Sequence, residues 1–472
     1  MTLWTATDAA AATGGQVTGD WAATGVSIDT RTIQSGDLFV ALKDVRDGHE
    51  FVALALEKGA AAAIVTHRPE GVSEDAPLVI VPDVLAALVA LGAAARARTD
   101  AKVIGITGSV GKTSTKEMMR VVLAAQGKTH ASIASYNNHW GVPLTLARMP
   151  ADTDYAIIEI GMSNPGEIAP LAKMARPHVA MITTVAAAHL EAFDDLDGIA
   201  REKAAIMVGL EPGGIAILNG DIATAHVLRD HLGGHTPVWF GHGVGSDWQI
   251  KLIRITPEAT VIQTSGEGQD YLFKLSIPGR HFAMNAVGVL AAIKALGGDP
   301  TQAALDIASW APPAGRGTRE TLVIDAGIEG GTIDVIDDAF NANPTSMAAA
   351  LEVLVATSPI DRVGRIQKGR RIAVLGDMLE LGPDERDMHS DLSGNEHLQR
   401  LDLIHCVGSR MRTLWDVLPK VQRGEWHENA SELAKRVNRL IDAGDVILVK
   451  GSKGSKVSVV VDAIRKLGHR NA

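Results

Sequence analysis

A single cysteine, Cys406, stands in 472 residues, and that scarcity excludes an intrachain disulfide and any metal cluster built on several thiolates. A reducing cytoplasm suits such a chain. Basic residues are also outnumbered: 45 Lys and Arg face 55 Asp and Glu, a formal charge of −10 that argues against a protein that coats nucleic acid. The imbalance leaves room for a local phosphate site. No uninterrupted apolar run reaches the ~20 residues that a bilayer-spanning helix needs, and Met1-Thr2-Leu3-Trp4-Thr5 has no basic flank leading into an apolar core. The protein is therefore expected to be neither exported nor inserted in a membrane. Internal repeats and low-complexity tracts are missing too, apart from Ala-rich helical stretches.

What is present reads as an ordinary soluble globular chain, 46% hydrophobic and 21% charged. Its length is about three times the usual domain prior of ~150 residues, so three domains are expected. Residues 37–42 and 77–81 read as strands, and 51–58 and 84–98 as helices, which makes 1–100 a small α/β unit. From residue 102 apolar runs at 103–106, 155–160, 178–185 and 214–218 alternate with helical patterns, predicting a parallel sheet covered by helices. Over 248–277 the spacing changes to strand, turn and strand around Ser265-Gly266-Glu267-Gly268, an antiparallel annex, before a helix at 282–296. Pro312-Pro313-Ala314-Gly315-Arg316-Gly317 can continue neither a helix nor a strand, so a boundary is placed at 317. Beyond it, strands at 332–336, 371–375, 401–407 and 446–450 predict a doubly wound domain over 318–472. Ligands of such sheets sit past the carboxyl ends of the strands, where Asp338, Asp377 and Lys450 fall. The basic stretch 362–371 reads as well as a solvated face as it does as a binding loop.

The most informative segment is Thr107-Gly108-Ser109-Val110-Gly111-Lys112-Thr113-Ser114, between a predicted strand and a predicted helix. Glycines let backbone N–H groups turn inward around phosphates, Lys112 can reach the terminal ones, and the Thr113 hydroxyl is placed for magnesium. The spacing is a variant, because Ile106 stands where the first glycine of the strict phosphate-loop pattern belongs. Glu159, inside the apolar strand 155–160, is expensive to bury unless it meets a metal or a cation. Asn137 and Asn138, in Ser135-Tyr136-Asn137-Asn138-His139-Trp140-Gly141, suit either close ligand contact or a loop locked by its own side chains. His189, just after 178–185, is either a partner of the metal site or a structural histidine.

Together these segments resemble the Mur ligase family, ATP-dependent enzymes of bacterial cell-wall precursor synthesis. The resemblance runs along nearly the whole chain and is most specific in the phosphate loop, in Tyr136-Asn137-Asn138 with Gly141-Val142-Pro143-Leu144-Thr145, and in Asp337-Asp338-Ala339-Phe340-Asn341-Ala342-Asn343-Pro344. Within the family, Glu159-Ile160-Gly161 with Pro165-Gly166-Glu167-Ile168, Gly376-Asp377-Met378-Leu379-Glu380-Leu381-Gly382 and Val449-Lys450-Gly451-Ser452-Lys453-Gly454 look like the member that adds D-alanyl-D-alanine to UDP-N-acetylmuramoyl-tripeptide. The resemblance implies a UDP-sugar-binding domain at 1–100 using Asp29, Arg31, Asp47 and His49, a central ATPase domain at 101–317, and a Rossmann-like domain at 318–472 that delivers the dipeptide. It implies ATP and Mg2+, with Thr113, Glu159, His189 and a carbamylated Lys203 at the metal. Asn285 would contact the adenine side, and Arg316 and Asp338 would complete the nucleotide site. A cytoplasmic monomer is expected.

Three positions depart from the family pattern. Phe340 stands where tyrosine is commoner, the loop after His189 lacks the expected glycine, and Ala205 replaces a glutamate two places after Lys203. A folylpolyglutamate synthase or a tripeptide-forming Mur ligase would share the phosphate loop, whereas the 376–382 segment argues against both. A nucleotide-sensing switch is the rival from another class, and it would hydrolyse ATP without an amine.

Overall fold

The computed structural model describes residues 1–324 and 331–470, with backbone only for Arg470. It is a mixed α/β molecule with three large sheets. The first has five strands, running Gln16–Thr18, Leu78–Ile80, Ala62–Val65, Asp37–Val40 and Gly25–Ser27 across the sheet; all pairings but the first are parallel. Trp4–Thr5 and Ala22–Ala23 form a separate two-stranded ribbon. The helix Val84–Ala97 starts where the Asp83 side chain accepts from Ala86 N, and it buries Leu88, Leu91 and Ala95. Its Gly92 allows the Pro143 backbone so close that an added Cβ would lie 2.9 Å from the Pro143 carbonyl oxygen. Helix Gly141–Ala147 therefore seats directly on it, and Leu144 and Ala147 join the apolar core of the first sheet. Trp4 Nε1 donates to Ala147 O at 2.8 Å and Arg148 Nε to Val26 O at 2.6 Å, closing the same seam.

The middle sheet has nine strands. From the Thr129–Ala131 edge, Tyr155–Glu159, Lys102–Thr107, Val179–Ile182, Ile215–Asn219, Thr236–Gly241 and Trp248–Ile255 follow in parallel, then Thr260–Gly266 and Gln269–Leu275 turn antiparallel. The annex is thus continuous with the parallel part, not a separate layer. Helices cover both faces, Lys112–Ala124 and Arg280–Ala295 on one and Ile168–Ala175 and Leu196–Ala204 on the other. The phosphate-loop strand lies between Tyr155–Glu159 and Val179–Ile182, so the carboxyl ends of all three meet at one edge.

The third sheet has seven strands, ordered Arg423–His427, Leu403–Val407, Arg371–Gly376, Val446–Lys450, Thr332–Asp338, Thr318–Val323 and His469–Arg470. The first five are parallel, and Thr318–Val323 pairs antiparallel on both its sides. That antiparallel edge is an addition to the expected alternation, and Thr318–Val323 alternates buried and more open positions as a half-covered strand does. The basic stretch 362–371 is largely solvated, with Arg362, Arg365 and Lys368 exposed, and it is anchored to the loop before the strand Val446–Lys450. Arg370 grips Asp445, a side chain only 1% exposed, at 2.6 Å, and Arg365 reaches Asp442 at 3.2 Å. Among the described residues no helix is long and apolar enough to cross a membrane.

Candidate active site

The phosphate loop is held in shape before any ligand arrives. Gly108 has φ 151°, and a Cβ there would collide with Thr183 Oγ1; Gly111 has φ 89°. Ser109 N donates to Thr184 O at 2.9 Å, its hydroxyl donates to Ala186 O at 2.9 Å, and Thr183 Oγ1 donates to Val110 O at 2.6 Å. The segment after strand Val179–Ile182 therefore acts as a splint. Helix Lys112–Ala124 begins at Gly111 with no side-chain cap, so its first-turn N–H groups are left for an anion. Lys112 folds back so that Nζ donates to Gly108 O. Burial, opposed by Glu159 and aided by Arg316, draws its ammonium below the ordinary lysine range.

Glu159 ends its strand 1% exposed. Thr113 Oγ1 donates to its carboxylate at 3.1 Å and Asn137 Nδ2 at 2.8 Å, and among the described residues no cation comes within ion-pair distance. A buried carboxylate met only by neutral donors is a strong attractor for a divalent cation. Ser135 Oγ lies 3.0 Å from Thr113 Oγ1 and accepts from the Arg316 guanidinium at 2.9 Å. Arg316 also stacks on Phe340, 4.2 Å from the ring centroid, so the missing tyrosine hydroxyl does not remove the contact. Asn138 Oδ1 accepts from Gly141 N at 2.9 Å, at the start of the next helix.

From the third sheet, Lys450 Nζ donates to Asp338 Oδ2 at 2.7 Å and to Asn341 O at 2.9 Å. Burial pushes the Asp338 carboxyl up against the pull of Lys450. These groups face the phosphate loop across one cavity of about 310 Å³. Ser109 to Ser114, Asn137, Asn138, Glu159, His189, Asn285, Arg316 and Asp338 all line it, while Thr107 and Gly108 do not. Asn285 sits against Gly111, where an added Cβ would meet its amide nitrogen at 2.8 Å.

His189 has φ 59° and faces Glu380, itself at φ 64° on a loop of the third sheet. Its Nδ1 lies 2.5 Å from Glu380 Oε2 but off the line of a good hydrogen bond. Lys203 is 1% exposed and does not line the cavity; its Nζ rests 3.5 Å from Sδ of Met162, which does. Burial, then the charge of Lys112, pushes its pKa well below the ordinary lysine range.

Asp29, Arg31, Asp47 and His49 are not brought to this cavity. Arg31 pairs with Asp29 at 2.6 Å while staying 87% exposed. His49 Nδ1 meets Asp47 Oδ1 at 2.7 Å and Nε2 accepts from Thr66 N at 2.9 Å, which fixes the neutral tautomer with the proton on Nδ1. Sequence reasoning missed His281, which lines the cavity with Nδ1 buried and, among the described residues, without a hydrogen-bond partner, its pKa lowered by burial to about 4. Only its place at the start of helix Arg280–Ala295, after Gly279, could have flagged it.

The Mur ligase middle domain matches residues 106–293, the Mur ligase glutamate ligase domain 324–453, and the Mur ligase family catalytic domain 22–122. The UDP-N-acetylmuramoyl-tripeptide–D-alanyl-D-alanine ligase of Escherichia coli (strain K12) is 34% identical over 94% of this chain and 94% of its own. The crystal structure of MurF from Acinetobacter baumannii superposes with a TM-score of 0.82 at 29% identity, covering 98% of this chain and 99% of that one. MurF ligase from Thermotoga maritima in complex with ADP gives 0.75 at 25% identity, over 94% and 97%. The cavity between the phosphate loop and the third sheet thus sits in a chain that belongs to the Mur ligase family.

Proposed function

We propose that this protein is an ATP-dependent amide ligase that adds D-alanyl-D-alanine to UDP-N-acetylmuramoyl-tripeptide, a cytoplasmic step of peptidoglycan precursor synthesis. Relatives named for that reaction over more than nine-tenths of the chain support the reading. The observation that carries it is the convergence of phosphate loop, buried Glu159 and third-sheet Asp338 and Lys450 on one cavity, as a reaction joining substrates from separate units requires. The division of labour is 1–100 for the UDP-sugar, 101–317 for ATP and 318–472 for the dipeptide, residues 325–330 and 471–472 of the last lying outside the described chain.

A carboxylate does not acylate an amine in water unaided. ATP transfers its γ-phosphoryl group to the tripeptide carboxylate, giving an acyl phosphate and ADP. The amine of D-alanyl-D-alanine attacks the acyl carbon, and the tetrahedral intermediate expels phosphate while the nitrogen loses a proton. Catalysis of this kind rests on positioning and electrostatics. Helix N–H groups and Lys112 hold the transferring phosphate; Arg316 and Asp338 close the nucleotide site from the junction, and Asn285 takes the adenine side. Asn137 and Asn138, with Asp29, Arg31, Asp47 and His49 further out, serve the UDP-substrate.

Among the described residues no three His, Cys, Asp or Glu side chains cluster to hold a metal by themselves. Magnesium keeps water and phosphate oxygens as ligands, so few protein groups suffice. Thr113 and Glu159 fit that demand; His189, and Lys203 as a carbamate, would help hold a second ion. When bound, magnesium offsets the negative charge on the transferring phosphate. Lys203 suits carbamylation, which consumes the neutral amine and turns a repelling cation into an anionic oxygen ligand. The enzyme acts as a monomer.

The test is phosphate release by the purified protein with ATP, magnesium and UDP-N-acetylmuramoyl-tripeptide, with and without D-alanyl-D-alanine. A ligase releases phosphate in proportion to dipeptide. Equal release with ATP alone would identify a nucleotide switch instead.

A further inference from the structure

Lys116 is the most deeply buried charge outside the residues assigned above. Its side chain is 0% exposed, one turn along helix Lys112–Ala124 from Lys112 and Thr113. An ammonium in such a place is costly unless its donors are met. Here Nζ donates to Ser132 O at 2.7 Å, to Ala134 O at 3.3 Å and to Ser132 Oγ at 3.4 Å, and it pairs with Glu117 at 2.9 Å. Arg120 also holds Glu117, at 2.6 Å, and the two cations keep that carboxyl below its usual range despite the opposing effect of burial.

The carbonyls that Lys116 grips belong to the turn leading into Ser135, Asn137 and Asn138. Thr113 and Lys116 are three residues apart, so they share one helix face. The turn is fastened at two points along that face, by Thr113 to Ser135 and by Lys116 to Ser132 and Ala134. Little else in the turn is buried: Ile133, between the two gripped carbonyls, is 85% exposed. Downstream of the fastening, Asn137 donates to Glu159 and its carbonyl accepts from Gly161 N at 2.8 Å.

We infer that Lys116 is a positioning residue for the nucleotide and metal site: its buried ammonium sets the 132–138 turn so that Ser135 and Asn137 meet Thr113 and Glu159. The inference rests on the reading of Thr113 and Glu159 as magnesium ligands. Lys116 touches neither substrate nor cavity, and it acts through the turn. Loss of the ammonium leaves two carbonyls without their donor and frees the turn to drift from Glu159.

The test is Lys116→Met, which keeps the apolar stem, with Lys116→Arg as the conservative variant. Binding of ADP is titrated calorimetrically at increasing magnesium, and thermal unfolding is followed on the same samples. The magnesium needed for half-maximal ADP binding should rise about tenfold in Lys116→Met, the scale on which loss of a ligand-orienting neighbour acts, and Lys116→Arg should recover most of it. Amide exchange of 132–138 should quicken in step. If Lys116→Met does not fold, Lys116→Gln takes the same measurements. An unchanged magnesium requirement in any folded variant lacking the cation overturns the inference, even if its unfolding temperature drops. Failure of the unaltered protein to bind ADP with magnesium would instead overturn the ATP reading.

Discussion

At the scale of single residues, two lysines on one site have opposite tasks. Lys112 must stay cationic to meet phosphate, and its present partner is only a loop carbonyl. Lys112→Ala should therefore lower ligation by at least ~10³-fold, in the range seen when a charge clamp on a phosphoryl group is removed. Its circular dichroism and unfolding midpoint should stay near those of the unaltered protein, and near-normal turnover would reject the phosphate-loop assignment. Lys203, on the proposed carbamate reading, must become anionic. Lys203→Ala should be nearly inactive and partly restored by added acetate, whose carboxylate can stand in for the carbamate; full activity without acetate would leave only Thr113, Glu159 and His189 at the metal. Much of this was legible in the chain. The phosphate loop announces itself by glycine spacing, and Glu159 by a charge inside an apolar strand. Asp29, Arg31, Asp47 and His49 show the limit, since Asp29 pairs with Arg31 and Asp47 with His49 and the sequence alone cannot say what a local pair is aimed at.

At the scale of elements, apolar runs found many of the buried strands but not Ala62–Val65, and they missed Arg423–His427 and Thr236–Gly241. Arg423–His427 has only intermediate burial and no apolar run, and Thr236–Gly241 opens with a proline at its second position. Their pairing comes from neighbours far along the chain, a signal that local periodicity does not hold. His405 depends on one of these edges. It is 1% exposed on strand Leu403–Val407, and its Nδ1 accepts from Glu425 N at 3.0 Å on the neighbouring strand. Burial lowers its pKa to about 4. In the unfolded chain the imidazole takes a proton near pH 6.5, so between pH 6.5 and 4 the unfolded state binds more protons than the folded one. Stability from this site is present above pH 6.5 and lost as pH falls towards 4, by at most ~3.5 kcal/mol at about 1.4 per pH unit. His281, lowered to the same value, adds to the slope. His405→Asn keeps an acceptor for Glu425 N–H and should flatten the curve; urea midpoints at pH 7, 5.5 and 4.5 would show it, and an unaltered slope would count against the neutral buried imidazole.

At the scale of the whole molecule, the sequence showed where alternation restarts but not which units are joined. The breaker at 312–317 was visible as prolines and glycines, and the seam between helices Val84–Ala97 and Gly141–Ala147 was not, because it depends on the close approach at Gly92 and on bonds between residues far apart in the chain, Trp4 to Ala147 and Arg148 to Val26. That seam ties the first sheet to the second, whereas the third is reached through the 312–317 linker, Arg316 and the contact of His189 with Glu380. Movement should fall on the third unit. With nucleotide and UDP-substrate bound, the radius of gyration from small-angle scattering should shrink, and no change with both ligands would contradict closure. The same seam dictates an order of events during synthesis. The apolar side of Val84–Ala97 is finished by Leu144 and Ala147, so an emerging chain exposes that side until the ribosome has passed residue 147. The amino-terminal unit, although first made, cannot be complete until part of the second unit has followed it. A ribosome stalled short of that point would hold a sticky nascent surface for chaperones to cover.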